Sequence, residues 1–385
     1  MNHFVRRLEE FLRKQEELNL TRSLHPISLK KEGKIYFNKK EYIDFSSNDY
    51  LGLSNHPYIK EVSKKALEDY GTSTSASRLL SGDLAIFHQL EAKVAEFKGK
   101  EKALVFNSGY QANLGVISSL CQKNIDAIFF DRLCHASIID GVVLSGARFF
   151  RFNHNDMNHL EILLQKERNK FKGALIITET IFSMDGDRCD LKALVELKEK
   201  YDCKLYVDEA HATGIFGESA SGVVEEEGLV DKVDIIMGTF SKALGSFGAY
   251  IASSKEIINY LINQARSFIY STALPPCVIA ANLASLELLE KEPYRRKILL
   301  ENADYFRKEL KNQGLKVKGS SQIVPLVIGD TAKTVKLAQK LKNKGYWVFP
   351  IRPPTVPKGE DRLRFSLTYY HTKEILKDLI SSLIQ

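Results

Sequence analysis

The chain has 385 residues, is 44% hydrophobic, and carries a formal charge of +7 from 55 basic and 48 acidic side chains. That length predicts about two domains, and no run reaches the roughly 20 apolar residues of a membrane span. The mild basic excess comes without a nucleic-acid motif. It argues against nucleic acid and membrane as partners and suits attraction of a small anion carrying phosphates.

In chain order, the opening MNHFVRRLEEFLRKQEELNL reads as an amphipathic helix with Phe4, Leu8, Phe11 and Leu12 on one side. It lacks the apolar core of a signal peptide. A membrane-surface role is the alternative; the expected role is packing on its own protein or on a dimer partner. IYFNKKEYIDF then reads as a hairpin or extended segment with a polar, turn-like centre.

From here to about residue 255, short apolar runs alternate with helical patterns. The runs are ALVF (103–106), AIFFD (127–131), ALIITE (174–179), KLYVDE (204–209), DIIMGTF (234–240) and GAYIAS (248–253). Runs apolar almost throughout predict strands covered on both faces. Helical QANLGVISSLC and DLKALVELKEKY between them predict an α/β domain with a mostly parallel central sheet.

After residue 275 comes a long helical region that Pro293 should kink or break. It is followed by a strand-like IVPLVIG, a helix TAKTVKLAQKLKNKG, strands WVFPI and RLRFSLT, and a last helix. The expected organisation is an N-terminal segment over 1–45, a large α/β domain over 46–285 and a smaller α+β domain over 286–385. Cys121, Cys134, Cys189, Cys203 and Cys277 are scattered, with neither zinc-site spacing nor a disulfide framework. A reducing cytoplasm fits, and no metal site is expected.

In VDEAHATG (207–214), Asp208 and His211 follow an apolar run. Ligands of open α/β sheets bind outside the carboxyl ends of the strands. There Asp208 could hold a proton on a ring nitrogen and His211 could donate to a second ligand oxygen. The plain alternative is a capping Asp and a structural His. In GTFSKALGSFG (238–248), Lys242 also follows a strand-like run, with room for a helical crossover after Asp208. A partly desolvated lysine there can form a Schiff base; otherwise it contacts a phosphate, although no GxxxxGK[ST] loop is present.

FNSGYQANLG opens a helix after a strand, so Ser108, Gly109 and Tyr110 would offer backbone N–H groups to a phosphate. Thr239 and the pair Ser271–Thr272 are further hydroxyl donors. His135, in DRLCHASIIDG, is either a cleft histidine able to stack on a flat ring or a solvent-facing loop residue. Arg352 precedes two prolines, and such a stiff segment could aim its guanidinium at a carboxylate. Arg362 and Arg364 read as surface charges on a strand edge, and His371 as a helix start. A dinucleotide-binding GxGxxG and a hydrolase GxSxG are both absent from the required places. A non-enzymatic binding protein would account for the fold but not for the gathered Asp, His and Lys.

The motifs NDYLGL, SRLLSG, NSGYQAN, HAS, SMDGD, VDEAHATG, GTFSKALGSFG and RPPTVPKGEDRLR occur in one order across nearly the whole chain. In these the chain resembles the α-oxoamine synthases, enzymes of the aspartate-aminotransferase fold (fold type I) that use pyridoxal 5'-phosphate (PLP). The resemblance implies that Lys242 holds PLP and shuttles a proton, and that Asp208 pairs with the pyridine nitrogen. It puts His211 and Ser183 at the ring hydroxyl and His135 over the ring. Ser108, Gly109, Tyr110 and Thr239 would surround the phosphate, with Ser271 and Thr272 reaching in from a second subunit.

Arg352, Asn48, Thr355 and, beside the acyl group, Arg22 would bind substrate. A homodimer with shared active sites is implied. Arg352 followed by PPTVP resembles the branch of the family that joins L-alanine to pimeloyl-CoA or a pimeloyl-carrier-protein in biotin biosynthesis. The branch joining glycine to acetyl-CoA is the rival, with aminolevulinate and serine palmitoyl synthesis as neighbours. SRLLSG departs from the more glycine-rich form of some members.

Overall fold

The structure, a computed structural model, describes residues 3–384. Contacts divide the chain into two compact units. The larger comprises Asp49–Ser183 and Arg188–Arg296; the smaller comprises 1–48, Met184–Asp187 and Lys297–Gln385.

The larger unit is built on seven strands. In spatial order they are Lys102–Phe106, Ala249–Ser253, Ile235–Thr239, Lys204–Asp208, Gly173–Glu179, Asp126–Asp131 and Arg148–Phe152. Every pairing is parallel except those of Ala249–Ser253, which runs antiparallel to both neighbours. The near-continuous apolar runs of the sequence become strands buried on both faces: every residue of Ile235–Thr239 and of Ala249–Ser253 is buried. Helices Gly109–Leu120 and Ala136–Ser145 pack on the sheet through Ala112, Val116, Ile117, Ile138 and Val142, which share one core cluster with Leu104, Ile128, Ile177 and Ile251. The expected α/β architecture is present.

Two helix starts are set by single side chains. Ser108 caps Gly109–Leu120 by accepting from the Gln111 amide at 3.2 Å. His135 caps Ala136–Ser145, its Nδ1 accepting from the Ser137 amide at 3.2 Å. Such a cap satisfies an amide that helix geometry leaves without a partner. Pro293 breaks the long helical region into Pro276–Lys291 and Tyr294–Asn312, because its ring blocks the preceding carbonyl and it has no N–H to give.

In the smaller unit, the strands Lys34–Phe37 and Lys40–Asp44 form the hairpin, and Asn38 and Lys39 both take positive φ, 49° and 62°. Two-residue hairpin turns need that conformation. Tyr346–Trp347 pairs in parallel with Lys40–Asp44. A second sheet places Arg362–Ser366 between Ile323–Val327 and Pro350–Ile351.

One sequence expectation is corrected here. Arg362 and Arg364 are buried, not surface charges. Arg362 reaches Asp185 Oδ1 at 2.8 Å and Glu360 Oε2 at 2.9 Å, and Arg364 lies 2.8 Å from Ser366 Oγ. His371 precedes the last helix, Lys373–Ile384, but its ring is fully buried and stacks on Phe45 with centroids 4.0 Å apart. That burial pushes its pKa down to about 3. The first helix, His3–Glu17, has no buried residue, and Phe4, Leu8, Phe11 and Leu12 are all exposed. No helix among the described residues is long and apolar enough to cross a membrane.

Candidate active site

Asp208 is the last residue of Lys204–Asp208, and Thr239 ends the neighbouring strand three residues before Lys242. Both chemical groups therefore stand at the carboxyl edge of the parallel sheet, where open α/β sheets bind ligands. The small residues around Lys242 have a steric reason. Gly245 donates its amide to the Lys242 carbonyl at 2.9 Å, with φ at 62°. A Cβ there would come within 2.4 Å of the Ser54 backbone nitrogen. Gly248, with φ at 103°, accepts from the Phe240 amide at 3.0 Å. The lysine is thus carried on a tight turn whose backbone bonds to itself.

Asp208 is buried. Its Oδ1 accepts from the Ala210 amide at 2.8 Å and its Oδ2 from Asn113 Nδ2 at 2.9 Å. Each oxygen keeps a lone pair for a further donor. The charges of Asp208 and Lys242 both act on His135, whose burial lowers its pKa below the usual 6.5. They act likewise on Glu179, whose carboxyl is pushed up to about 8 by burial and by Asp208. Asp208, Lys242, His135 and Glu179 therefore share one electrostatic environment inside the larger unit.

His211 is buried, with Nδ1 2.7 Å from the Tyr50 hydroxyl. Ser183 closes the first segment of the larger unit. The amides of Gly109 and Tyr110 open a 12-residue helix and have no intrahelical acceptor, since they lie in its first turn. Thr239 turns inward: its hydroxyl is 2.8 Å from the Gly248 carbonyl and 2.9 Å from Ser241 Oγ. The Thr272 carbonyl accepts from Asn107 Nδ2 at 2.8 Å, so the Ser271–Thr272 segment lies beside the Asn107–Ser108 loop of its own chain.

The remaining expected residues belong to the smaller unit. Arg22 reaches Thr355 Oγ1 at 3.5 Å. Arg352 donates to the backbone carbonyls of Asn19 and Thr21. Both arginines line a groove of about 580 Å³ whose apolar walls include Trp347, Phe349 and Ile351. Among the described residues neither arginine forms an ion pair with a carboxylate. Burial, then the charge of Arg22, lowers the Arg352 pKa. Asn48 Oδ1 lies 3.3 Å from Arg364 Nη2 and from Ser366 Oγ.

Sequence reasoning missed Asn113, Ser137, Tyr206 and Glu179, all buried around Asp208 and His135. The available signal was polarity out of place: an Asn inside an apolar helical pattern and a Glu ending an apolar strand. Lys98 and Glu209 were also missed; they form a fully buried pair at 2.8 Å beside Asp208 in the chain.

These residues fit PLP. Unsatisfied amides at a helix start suit its phosphate. A buried carboxylate with spare lone pairs suits its ring nitrogen, and an amine in the same site suits its aldehyde.

Comparison with known proteins agrees. The model of the family "Aminotransferase class I and II" matches residues 40–383. An 8-amino-7-oxononanoate synthase from Geotalea daltonii is 45% identical, covering 94% of this chain and 93% of its own. Another from Geobacter sulfurreducens is 44% identical, covering 97% and 95%. Among solved structures, a serine palmitoyltransferase from Sphingomonas wittichii superposes with a TM-score of 0.93 at 32% identity, over 98% of this chain and 96% of that one. A Francisella tularensis 8-amino-7-oxononanoate synthase gives a TM-score of 0.79 at 30% identity, over 89% and 97%. The chain belongs to the class I and II aminotransferase family of PLP-dependent enzymes, and within it to the α-oxoamine synthases.

Proposed function

We propose that the chain is an acyltransferase joining L-alanine to a pimeloyl thioester, on CoA or a carrier protein, to give 8-amino-7-oxononanoate, CO2 and free thiol, a step of biotin biosynthesis. The observation that carries the reading is the shared environment of Asp208 and Lys242 at the sheet edge, in a chain 45% identical to a relative of that name.

Bound PLP supplies an electron sink for the bond broken at the amino acid Cα. Lys242 would hold the cofactor through its amine and move the proton at Cα. Asp208, its carboxylate already oriented by two donors, would keep a proton on the ring nitrogen. His135 would lie over the ring, while His211 and Ser183 would meet the ring hydroxyl. The first amides of Gly109–Leu120, with Ser108, would hold the phosphate, with Thr239, Ser271 and Thr272 near it.

For substrate, Arg352 has a guanidinium without a carboxylate partner among the described residues and would take the alanine carboxylate, with Asn48 and Thr355. Arg22 would serve the acyl substrate. The apolar walls of the groove lined by both arginines suit a methylene chain. A homodimer sharing its sites is part of the reading.

Serine palmitoyl transfer is the second reading, favoured by the TM-score of 0.93 to an enzyme of that name. Glycine C-acetyl transfer is a third branch. The test is a matrix of alanine, serine and glycine against pimeloyl-, palmitoyl- and acetyl-CoA, with product masses. Alanine with pimeloyl-CoA is the expected productive pair. Serine with palmitoyl-CoA or glycine with acetyl-CoA reassigns the branch. No product from any pair, with no PLP bound, leaves a degenerate binding protein.

A further inference from the structure

Asn113 is buried in the second turn of Gly109–Leu120, facing the strand Lys204–Asp208. Asn is a poor helix former, because its side chain competes for backbone groups. Here each of its side-chain hydrogen-bonding groups is occupied. Tyr206 and Asp208 are two residues apart on a strand, so both side chains project to the same face. The Tyr206 hydroxyl lies 2.5 Å from Asn113 Oδ1, and Asn113 Nδ2 lies 2.9 Å from Asp208 Oδ2 and 2.9 Å from Ser137 Oγ. Ser137 Oγ is 2.7 Å from His135 Nδ1, which also accepts the Ser137 backbone N–H at 3.2 Å.

The chemistry of the end groups sets every proton in this chain. A backbone N–H can only donate, so His135 Nδ1 is an acceptor and bears no proton. The Ser137 hydroxyl at the same nitrogen must therefore donate to it. Its oxygen is left to accept, and the donor is one N–H of Asn113. The other N–H of Asn113 meets the Asp208 carboxylate, which can only accept when ionised. The amide cannot be flipped, because that would set its oxygen against the acceptor-only carboxylate of Asp208; Tyr206 accordingly donates to the amide oxygen.

We propose that Asn113 is a positioning residue that locks Asp208 and His135 to one another: it pins the carboxylate and, through Ser137, turns a second donor onto Nδ1 of a His135 that the cap amide holds as the neutral tautomer with its proton on Nε2. Besides Asp208, the charged or titratable groups around His135 are Lys242, Glu179, which accepts the His135 backbone N–H, and Tyr110, whose ring meets the imidazole edge-on with centroids 6.2 Å apart. A neutral, fixed imidazole adds no second positive charge beside Lys242. It presents a flat face and one N–H donor of known direction.

The consequence for catalysis rests on reading Asp208 and His135 as cofactor contacts, but the test does not. The PLP-loaded protein is labelled with ring-15N histidine, and its nine histidines are resolved by comparison with His135→Gln. The expected result is an unprotonated Nδ1 and a protonated Nε2 at His135 near neutral pH. Asn113→Asp turns the donor to Ser137 into an acceptor and draws the serine proton away from His135 Nδ1; the cap amide keeps the tautomer, and the Nδ1 15N resonance moves toward that of a nitrogen with one donor fewer. Ser137→Ala, which leaves Asn113 on Asp208 and the cap amide on Nδ1, removes only the hydroxyl donor, shifts the Nδ1 resonance in the same sense, and decides the matter if the first variant does not fold. A wild-type His135 protonated on Nδ1 overturns the proposal, as does an Nδ1 resonance unmoved in the folded variants. Failure here leaves the functional reading intact. Loss of that reading, through absence of a cofactor bond at Lys242, would leave the tautomer result standing.

Discussion

Glu179 and Asp208 are register partners at the ends of adjacent parallel strands, which puts two buried carboxyl groups side by side. Like charges so placed do not both ionise readily. Asp208 has two hydrogen-bond donors for its anion, whereas Glu179 is pushed up to about 8 by burial and by the charge of Asp208. Glu179 is the neutral member of the pair.

That difference has a pH signature. Glu179 binds its proton more tightly in the folded protein, at about 8 against a usual 4.5. Its contribution to stability is fully present below 4.5, falls as pH rises between the two values, and is gone above about 8. Glu179→Gln keeps a neutral side chain at every pH. Denaturant midpoints of wild type minus variant should therefore decline from acid to neutral pH and level off above about 8. A difference independent of pH would mean that Glu179 is already charged.

Asp208→Asn retains the shape and loses the charge. The fold should persist, while exchange of the alanine Cα hydrogen with deuterated solvent falls by about 10²-fold or more. Proton NMR of the alanine pool measures this directly, and an unchanged rate removes Asp208 from the role given to it.

Ser108 caps the helix whose first amides face the proposed phosphate site. Ser108→Ala should cost about 1 kcal/mol of stability and also speed release of PLP. Urea denaturation and cofactor absorbance after gel filtration read the two effects separately. Stability lost with unchanged cofactor retention would confine Ser108 to a capping role.

In the smaller unit, Arg362 pairs with Asp185 and Glu360. Burial would raise the Asp185 carboxyl, but the hydrogen bond and charge of Arg362, followed by Lys318, outweigh it and hold it below 3.8. Removing one partner of such a buried pair costs about 3–5 kcal/mol. Arg362→Leu should show that loss in denaturant unfolding, and adding Asp185→Asn should recover part of it. Equal stability of the single and double variants would contradict the pairing.

The sheet was legible because strands covered on both faces must be apolar throughout, and ALIITE, KLYVDE and DIIMGTF all became central strands. Asp208 and Lys242 were legible as site residues because chain polarity alone puts them at the carboxyl edge. Arg362 was misread for a physical reason. A charged or polar side chain predicts exposure unless its partner is known, and Asp185 lies 177 residues away from Arg362. Asn113 was hidden in the same way: its partners Ser137, Tyr206 and Asp208 come from two other segments, joined only when the helix docks on the sheet.

The account turns on a covalent bond between Lys242 and PLP. Borohydride reduction of the loaded protein, followed by digestion and peptide mass mapping, tests it directly. The predicted result is a single pyridoxyl adduct on Lys242, absent from Lys242→Ala. An adduct on another lysine, or none at all in protein that retains PLP, would contradict it.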